Sequence, residues 1–145
     1  MDEIEETKNG KNIWIVEDDE GISEVTSLIL QEKGYQASSI FSEEELFQML
    51  EESKPDLILL DIFLYNANGA DIAKKLKSKD ETRNIPIVMM SADTQIVAKV
   101  QESGADDYIR KPFELSDLVR VIEKNIKDKN GNESNKPPSF ERSVS

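Results

Sequence analysis

The sequence predicts an α/β fold: a single-domain, doubly wound (βα)5 arrangement around a five-stranded parallel sheet. Three observations predict it. Short β-branched or aliphatic runs alternate with segments whose apolar residues recur at helical spacing, five times within about 115 residues. The apolar runs are continuous rather than alternating, as strands covered on both faces require. Polar and acidic residues gather where those runs end.

Asn12 to Val16 is a compact β-branched and aromatic run and reads as a buried strand, with Trp14 in the core. Glu20 to Lys33 follows as a helix, with Ile22, Val25, Leu28 and Ile29 at helical spacing and Gly34 as its stop. Tyr35 to Ile40 is a weaker strand. Ser42, followed three residues later by Glu45, is a capping box for a second helix with Leu46, Phe47, Met49 and Leu50 on its apolar side. Pro55 separates that helix from the strand Leu57 to Leu60. Asn66 to Gly69 reads as a loop, and 70–79 as a helix with Ile72, Ala73 and Leu76 inward. Ile87 to Met90 is the fourth strand, 94–103 a short helix stopped by Gly104, and Tyr108-Ile109 a brief fifth strand. Leu115, Leu118, Val119, Ile122 and Ile126 define an amphipathic last helix.

The expected organisation is a flexible N-terminus over 1–10, one domain over 11–127, and a disordered tail or linker stub over 128–145. That tail is rich in Asn, Ser, Lys and Pro.

Composition excludes several chemistries. There is no cysteine and no histidine among the 145 residues, so disulfides, thiol catalysis, Cys-ligated zinc and imidazole acid–base work are absent. A metal site must be built from oxygen, which points to magnesium, with manganese or calcium as alternatives. The net charge of −12 argues against direct nucleic-acid binding by this chain. The acid excess lies entirely within residues 1–93, which carry 21 acidic and 9 basic side chains. The longest apolar runs are four or five residues, against about 20 for a membrane span. The N-terminus has no signal-peptide pattern, so the expected location is cytoplasmic, away from membranes.

The strand-end residues carry the chemistry. The first strand ends in Glu17-Asp18-Asp19, the third at Asp61, the fourth at Ser91, and the fifth runs into Lys111-Pro112. In open parallel α/β sheets, ligands bind beyond the carboxyl ends of strands, at the point where strand order reverses. In the flavodoxin-like order 2-1-3-4-5, the precedent for that rule, strands one and three flank this point. Their acids would then share one pocket. Crowded carboxylates repel, and a divalent cation relieves the repulsion. A carboxylate held beside magnesium can attack phosphorus to form an aspartyl phosphate. Lys111 would supply positive charge for phosphoryl oxygens, Ser91 a hydroxyl, and backbone amides near residues 63 and 92 further donors.

Four stretches in register now matter together: Val16-Glu17-Asp18-Asp19-Glu20, Leu59-Leu60-Asp61, Met89-Met90-Ser91-Ala92, and Gly104 through Phe113. In these the chain resembles the response-regulator receiver domain of two-component signalling, over about residues 11–127. The resemblance implies that Asp61 is the phosphoacceptor, and that Glu17 and Asp18 hold magnesium with Asp61 and the main-chain carbonyl of Phe63. It implies Ser91 as the switch hydroxyl, Tyr108 as the aromatic switch residue, Lys111 as the phosphoryl-binding lysine and a cis bond between Lys111 and Pro112. Asp19 is read as an N-cap or first-turn residue. Serine stands at 91 where the family commonly has threonine, and the loop after Asp61 lacks its usual proline.

The implied function is Mg-dependent transfer of a phosphoryl group from a partner phosphohistidine to Asp61. This would switch a face formed by the fourth helix, fifth strand and fifth helix. The implied partners are a histidine kinase or phosphotransfer protein, a downstream protein target or an output domain, and a second copy of the chain upon phosphorylation. No enzyme activity is expected beyond slow self-directed phosphotransfer and autodephosphorylation. The alternative is a phosphorylation-independent interaction module. A flavodoxin is disfavoured because acids stand where its phosphate loop would lie, and an aspartate-nucleophile phosphatase because Phe63 stands where its second Asp would. A stand-alone regulator is slightly favoured over the receiver part of a longer protein, because the tail shows no further apolar pattern.

Overall fold

The computed structural model describes residues 10–126, so the expected tail over 128–145 and all but Gly10 of the expected flexible N-terminus lie outside the described residues. The elements are β1 (Asn12–Val16), α1 (Glu20–Glu32), β2 (Gln36–Ile40), α2 (Glu43–Glu52), β3 (Leu57–Asp61), β4 (Phe63–Leu64), β5 (Ala67–Asn68), α3 (Gly69–Lys77), β6 (Ile87–Ser91), α4 (Ile96–Ser103), β7 (Asp107–Arg110) and α5 (Leu115–Asn125). The main sheet has the order β2-β1-β3-β6-β7, and every pairing in it is parallel. This is the 2-1-3-4-5 order expected from the sequence; β4 and β5 form a separate antiparallel hairpin.

Strand periodicity divides the core in two. Trp14, Val16, Ile58, Leu60, Ile87 and Met89 point to one face, with Leu46, Leu50, Ile72, Leu76, Ile96 and Val100 from α2, α3 and α4. Ile13, Ile15, Leu57, Leu59, Val88 and Met90 point to the other, with Leu30 from α1 and Leu118, Val121 and Ile122 from α5. Both sides of β1, β3 and β6 are therefore dry, and each fully buried Leu or Ile contributes about 1.5–3 kcal/mol. Beyond the sheet's amino ends, the Lys77 amine donates to the Arg83 and Ile85 carbonyls and to Asp106 Oδ2. That carboxylate oxygen also accepts from the Ile87 amide. The knot fixes where β6 and β7 begin, and so where Ser91 and Lys111 come out.

The capping signals hold with one change. Asp19 caps α1, accepting from the Ile22 amide at 2.9 Å. Ser42 caps α2, accepting from the Glu45 amide at 3.1 Å, but the Glu45 carboxylate returns to the Phe41 amide rather than to Ser42.

One helix turns a different face inward than its apolar spacing implies. In α1, Ser23, Thr26 and Leu30 are buried, while Ile22, Val25 and Leu28 are exposed and Ile29 is half-buried. The reason is that the inward hydroxyls are satisfied. Ser23 donates to Ser39 Oγ on β2 at 2.7 Å, and Thr26 donates to the Ile22 carbonyl. Small hydrogen-bonded side chains let the helix lie close to polar β2, and the larger apolar ones are left outside. In α5 the expected Leu118 and Ile122 are buried, Val121 joins them, and Leu115 alone of the expected set is exposed. The helix over 70–79 runs instead from Gly69 to Lys77, and the one over 94–103 begins at Ile96. No helix of the described residues is long and apolar enough to cross a membrane.

Candidate functional site

β1 and β3 are neighbours in parallel register, with Val16 opposite Leu60, so Glu17 and Asp61 come out side by side at the carboxyl end of the sheet. Glu17, Asp18 and Asp61 each bring a carboxylate oxygen to within 4.8 Å of the others. Glu17 and Asp61 are buried, Asp18 is half-buried, and Asp19 turns away to cap α1.

Lys111 follows β7 and reaches back to the same place. Its amine donates to Glu17 Oε1 at 2.8 Å and to Asp61 Oδ2 at 3.1 Å. Its backbone amide bonds the Ser91 carbonyl, and its bond to Pro112 is cis. Ser91 ends β6, is buried, and its Oγ accepts from the Asp93 amide at 2.9 Å. The Phe63 amide donates to Asp61 Oδ1 at 3.3 Å. Tyr108 is half-buried against the first core cluster, with the Arg110 guanidinium 5.8 Å from its ring centroid. Glu17, Asp18, Asp61, Phe63, Ser91 and Lys111 thus lie together at the carboxyl end of the sheet, while Tyr108 lies on β7 beside β6.

The electrostatics show a charge deficit. Burial pushes the Glu17 carboxyl above its ordinary range; the Lys111 hydrogen bond opposes this, and the charge of Asp61 adds to it. Burial works against the Lys111 ammonium, but Glu17 and Asp61 outweigh it and hold its pKa above the ordinary lysine value. Three carboxylates and one ammonium leave two negative charges uncompensated, which matches one divalent cation. All donors are hard oxygens, so the residues fit magnesium better than a softer metal.

Gly69 closes the site from below. Its amide bonds the Ile62 carbonyl, and a Cβ there would stand 2.2 Å from the Asp61 carbonyl oxygen. The loop after Asp61, expected without secondary structure at Asn66 to Gly69, is the β4–β5 hairpin, and Gly69 is already the first residue of α3. Sequence reasoning missed a contact beside it. The Lys99 amine lies 4.8 Å from the Phe63 ring centroid and 2.7 Å from Asp93 Oδ2. The hydrogen bond from Lys99 holds the Asp93 carboxyl below its ordinary range. No spacing rule joins residues 63, 93 and 99, which come from three elements.

A family model for the response regulator receiver domain matches residues 13–123. The phosphate regulon transcriptional regulatory protein PhoB of Pseudomonas aeruginosa is 39% identical over 112 residues, 76% of this chain and 49% of that protein. The DNA-binding response regulator MtrA of Mycobacterium tuberculosis is 36% identical over 114 residues, 77% of this chain and 49% of that protein. The chain thus spans about half the length of the curated relatives it matches. Among solved structures, the signal receiver domain of a signal transduction histidine kinase from Syntrophus aciditrophicus superposes with a TM-score of 0.74 at 31% identity. It covers 79% of this chain and 89% of that one.

Proposed function

This chain belongs to the response regulator receiver domain family of two-component signalling, and we propose that within it Asp61 accepts a phosphoryl group from a partner phosphohistidine. The observation that carries the reading is the joint approach of Lys111 to Glu17 and Asp61 inside an acid cluster short of two positive charges. In the proposed transfer an Asp61 carboxylate oxygen attacks phosphorus, the bond from phosphorus to the donor nitrogen breaks, and the donor leaves as neutral imidazole after taking a proton. Glu17, Asp18, Asp61 and the Phe63 carbonyl would hold magnesium (or manganese), which when bound offsets the charge on the phosphoryl oxygens. Lys111 orients Asp61 and offers its ammonium to those oxygens. The Phe63 amide and the Ser91 hydroxyl are placed to donate to them. The reaction is self-directed, one phosphoryl group per chain, rather than catalysis of a turning-over substrate. A cytoplasmic setting is part of this reading.

The test is intact mass after incubation with acetyl phosphate and magnesium. A gain of one phosphoryl group is expected in the wild-type chain, lost completely in Asp61→Asn and when the cation is chelated. A gain that persists in Asp61→Asn would overturn the assignment. A phosphorylation-independent module is not favoured, since it would keep two buried, mutually repelling carboxylates without a use.

The donor protein needs a surface beside the cleft, and α1 offers one. Ile22, Val25 and Leu28 are exposed on the helix that begins immediately after Glu17-Asp18-Asp19. The double substitution Val25→Asp, Leu28→Asp is expected to leave stability within about 0.5 kcal/mol, because both side chains are already more than half exposed. It is also expected to leave phosphorylation by acetyl phosphate unchanged, while slowing transfer from the cognate kinase about tenfold or more. Equal kinase transfer rates in the two proteins would remove α1 from the docking surface.

Phosphorylation adds roughly two negative charges next to Ser91 and Lys111. The proposed consequence is a shift of the Ser91 loop and of Tyr108 that biases the α4–β7–α5 face. That face lies in the electrically neutral part of the chain, so a second copy meets little repulsion there; a downstream target or output domain is the other occupant. Sedimentation of the beryllofluoride-treated protein is expected to show dimer, and monomer alone would reject self-association.

A further inference from the structure

Two loops flank the Asp61 pocket, and a single lysine ties them together. On one side Phe63, two residues past Asp61, bonds the Asp61 carboxylate through its amide and projects a ring that is 56% exposed. On the other side Asp93, two residues past Ser91, bonds the Ser91 hydroxyl through its amide. Its carboxylate accepts from the Gln95 amide and its carbonyl from the Ile96 amide, so it anchors the start of α4, where Gln95 provides no side-chain cap. Lys99, one turn into α4, places its amine against the Asp93 carboxylate at 2.7 Å and over the Phe63 ring at 4.8 Å. The contacts form a continuous chain from Asp61 through Phe63, Lys99 and Asp93 to Ser91. Phe63 and the Asp93 side chain are held by a cation both of them attract, one through its π face and one through its charge.

We propose that Lys99 is a strap across the mouth of the phosphoryl pocket, joining the β4–β5 hairpin to the β6–α4 loop and setting the lifetime of the aspartyl phosphate by limiting the approach of water. The proposal rests on the reading of Asp61 as phosphoacceptor. In the step concerned, water adds to phosphorus and the bond between phosphorus and the Asp61 oxygen breaks. The products are orthophosphate and the free Asp61 carboxylate, with the water's protons on phosphate or released to solvent. Lys99 touches none of the reacting atoms and is a positioning residue: it holds two loops together at the side from which water must come.

The experiment uses the whole chain, phosphorylated with acetyl phosphate and magnesium, desalted, and followed by intact mass. Lys99→Ala is expected to lose its phosphoryl group about fivefold faster than wild type, the scale of one cation–π contact. Lys99→Arg, which keeps a cation over the ring, is expected to return the wild-type rate. Phe63→Leu in the Lys99→Ala background is expected to add no further acceleration, because the link between the two loops is already broken. A second measurement is independent of phosphorylation: the Lys99 Cε protons, on the carbon bonded to the amine that lies over the Phe63 ring, are expected upfield by ring current in the proton NMR spectrum and to return in Phe63→Leu. Equal phosphoryl lifetimes in wild type and Lys99→Ala would overturn the strap, as would a Lys99→Arg variant as fast as Lys99→Ala. If the wild-type chain takes up no phosphoryl group, the acceptor reading falls and the lifetime claim with it, whereas an absent ring-current shift overturns the strap alone.

Discussion

Gly69→Ala is expected to destabilise the chain by about 3 kcal/mol or more, a large part of what holds a domain of this size together. The added methyl carbon would stand 2.2 Å from the Asp61 carbonyl oxygen and 2.8 Å from the Ile62 Cα. Both are main-chain atoms at the end of a fully buried strand, so neither can turn aside as a flexible side chain would. The surrounding core is close-packed, and Ile62 is fully buried. Relief must come from moving α3 away from β3, which breaks the Gly69 amide bond to the Ile62 carbonyl, or from displacing Asp61 itself. Either response reaches the site. Urea unfolding monitored through Trp14 gives the stability, and the phosphoryl uptake assay gives the second readout, expected to fall with it. An unfolding midpoint within experimental scatter of wild type would show that this backbone approach is not tight.

The other large effect is expected for Lys111→Met, measured without divalent cations. Breaking a buried ion pair by removing one partner typically costs about 3–5 kcal/mol, and the lower end applies because the lysine side chain keeps 20% exposure. The loss arises because Glu17 and Asp61 remain buried side by side with nothing to offset them. Its pH dependence follows from Glu17. The folded-state pKa of Glu17 lies above the ordinary 4.5, so its contribution to stability is fully present below 4.5 and is lost as pH rises through the folded value. Without Lys111 that folded value rises further. The deficit of Lys111→Met relative to wild type is therefore widest at neutral pH and shrinks as pH falls through the Glu17 titration. In the wild-type chain the Lys111 contribution is present below its ordinary 10.5 and is lost as pH rises through its elevated folded value. Thermal unfolding of both proteins from acidic to neutral pH checks this. A deficit that is constant with pH would mean that Glu17 is not the group left uncompensated.

Much of this architecture was legible in the linear chain. Short apolar runs at Asn12–Val16, Leu57–Leu60 and Ile87–Met90 read as strands covered on both faces, and they are the three central strands. Glu17, Asp18, Asp61, Ser91 and Lys111 were legible because strand ends are marked by where apolarity stops, and parallel strands bring all their carboxyl ends to one side. The rotation of α1 was not legible. Hydrophobic spacing reports which residues prefer to be dry, while the buried face was decided by whether Ser23 and Thr26 could find partners: Ser39 across the contact for one, the Ile22 carbonyl of the same helix for the other.

The β4–β5 hairpin, the close approach at Gly69 and the bridge from Lys99 to Phe63 and Asp93 were not legible either. Each depends on distances between segments that no local pattern encodes. The sequence by itself determined the strand count of the main sheet, the layer arrangement and which acids share an edge, because burial and strand period act residue by residue along the chain. Only the tertiary structure decided which helix faces stay wet and which cation reaches which carboxylate. Those outcomes turn on hydrogen-bond and charge partners up to 94 residues apart, as for Lys111 and Glu17, and come into being only when the sheet is assembled.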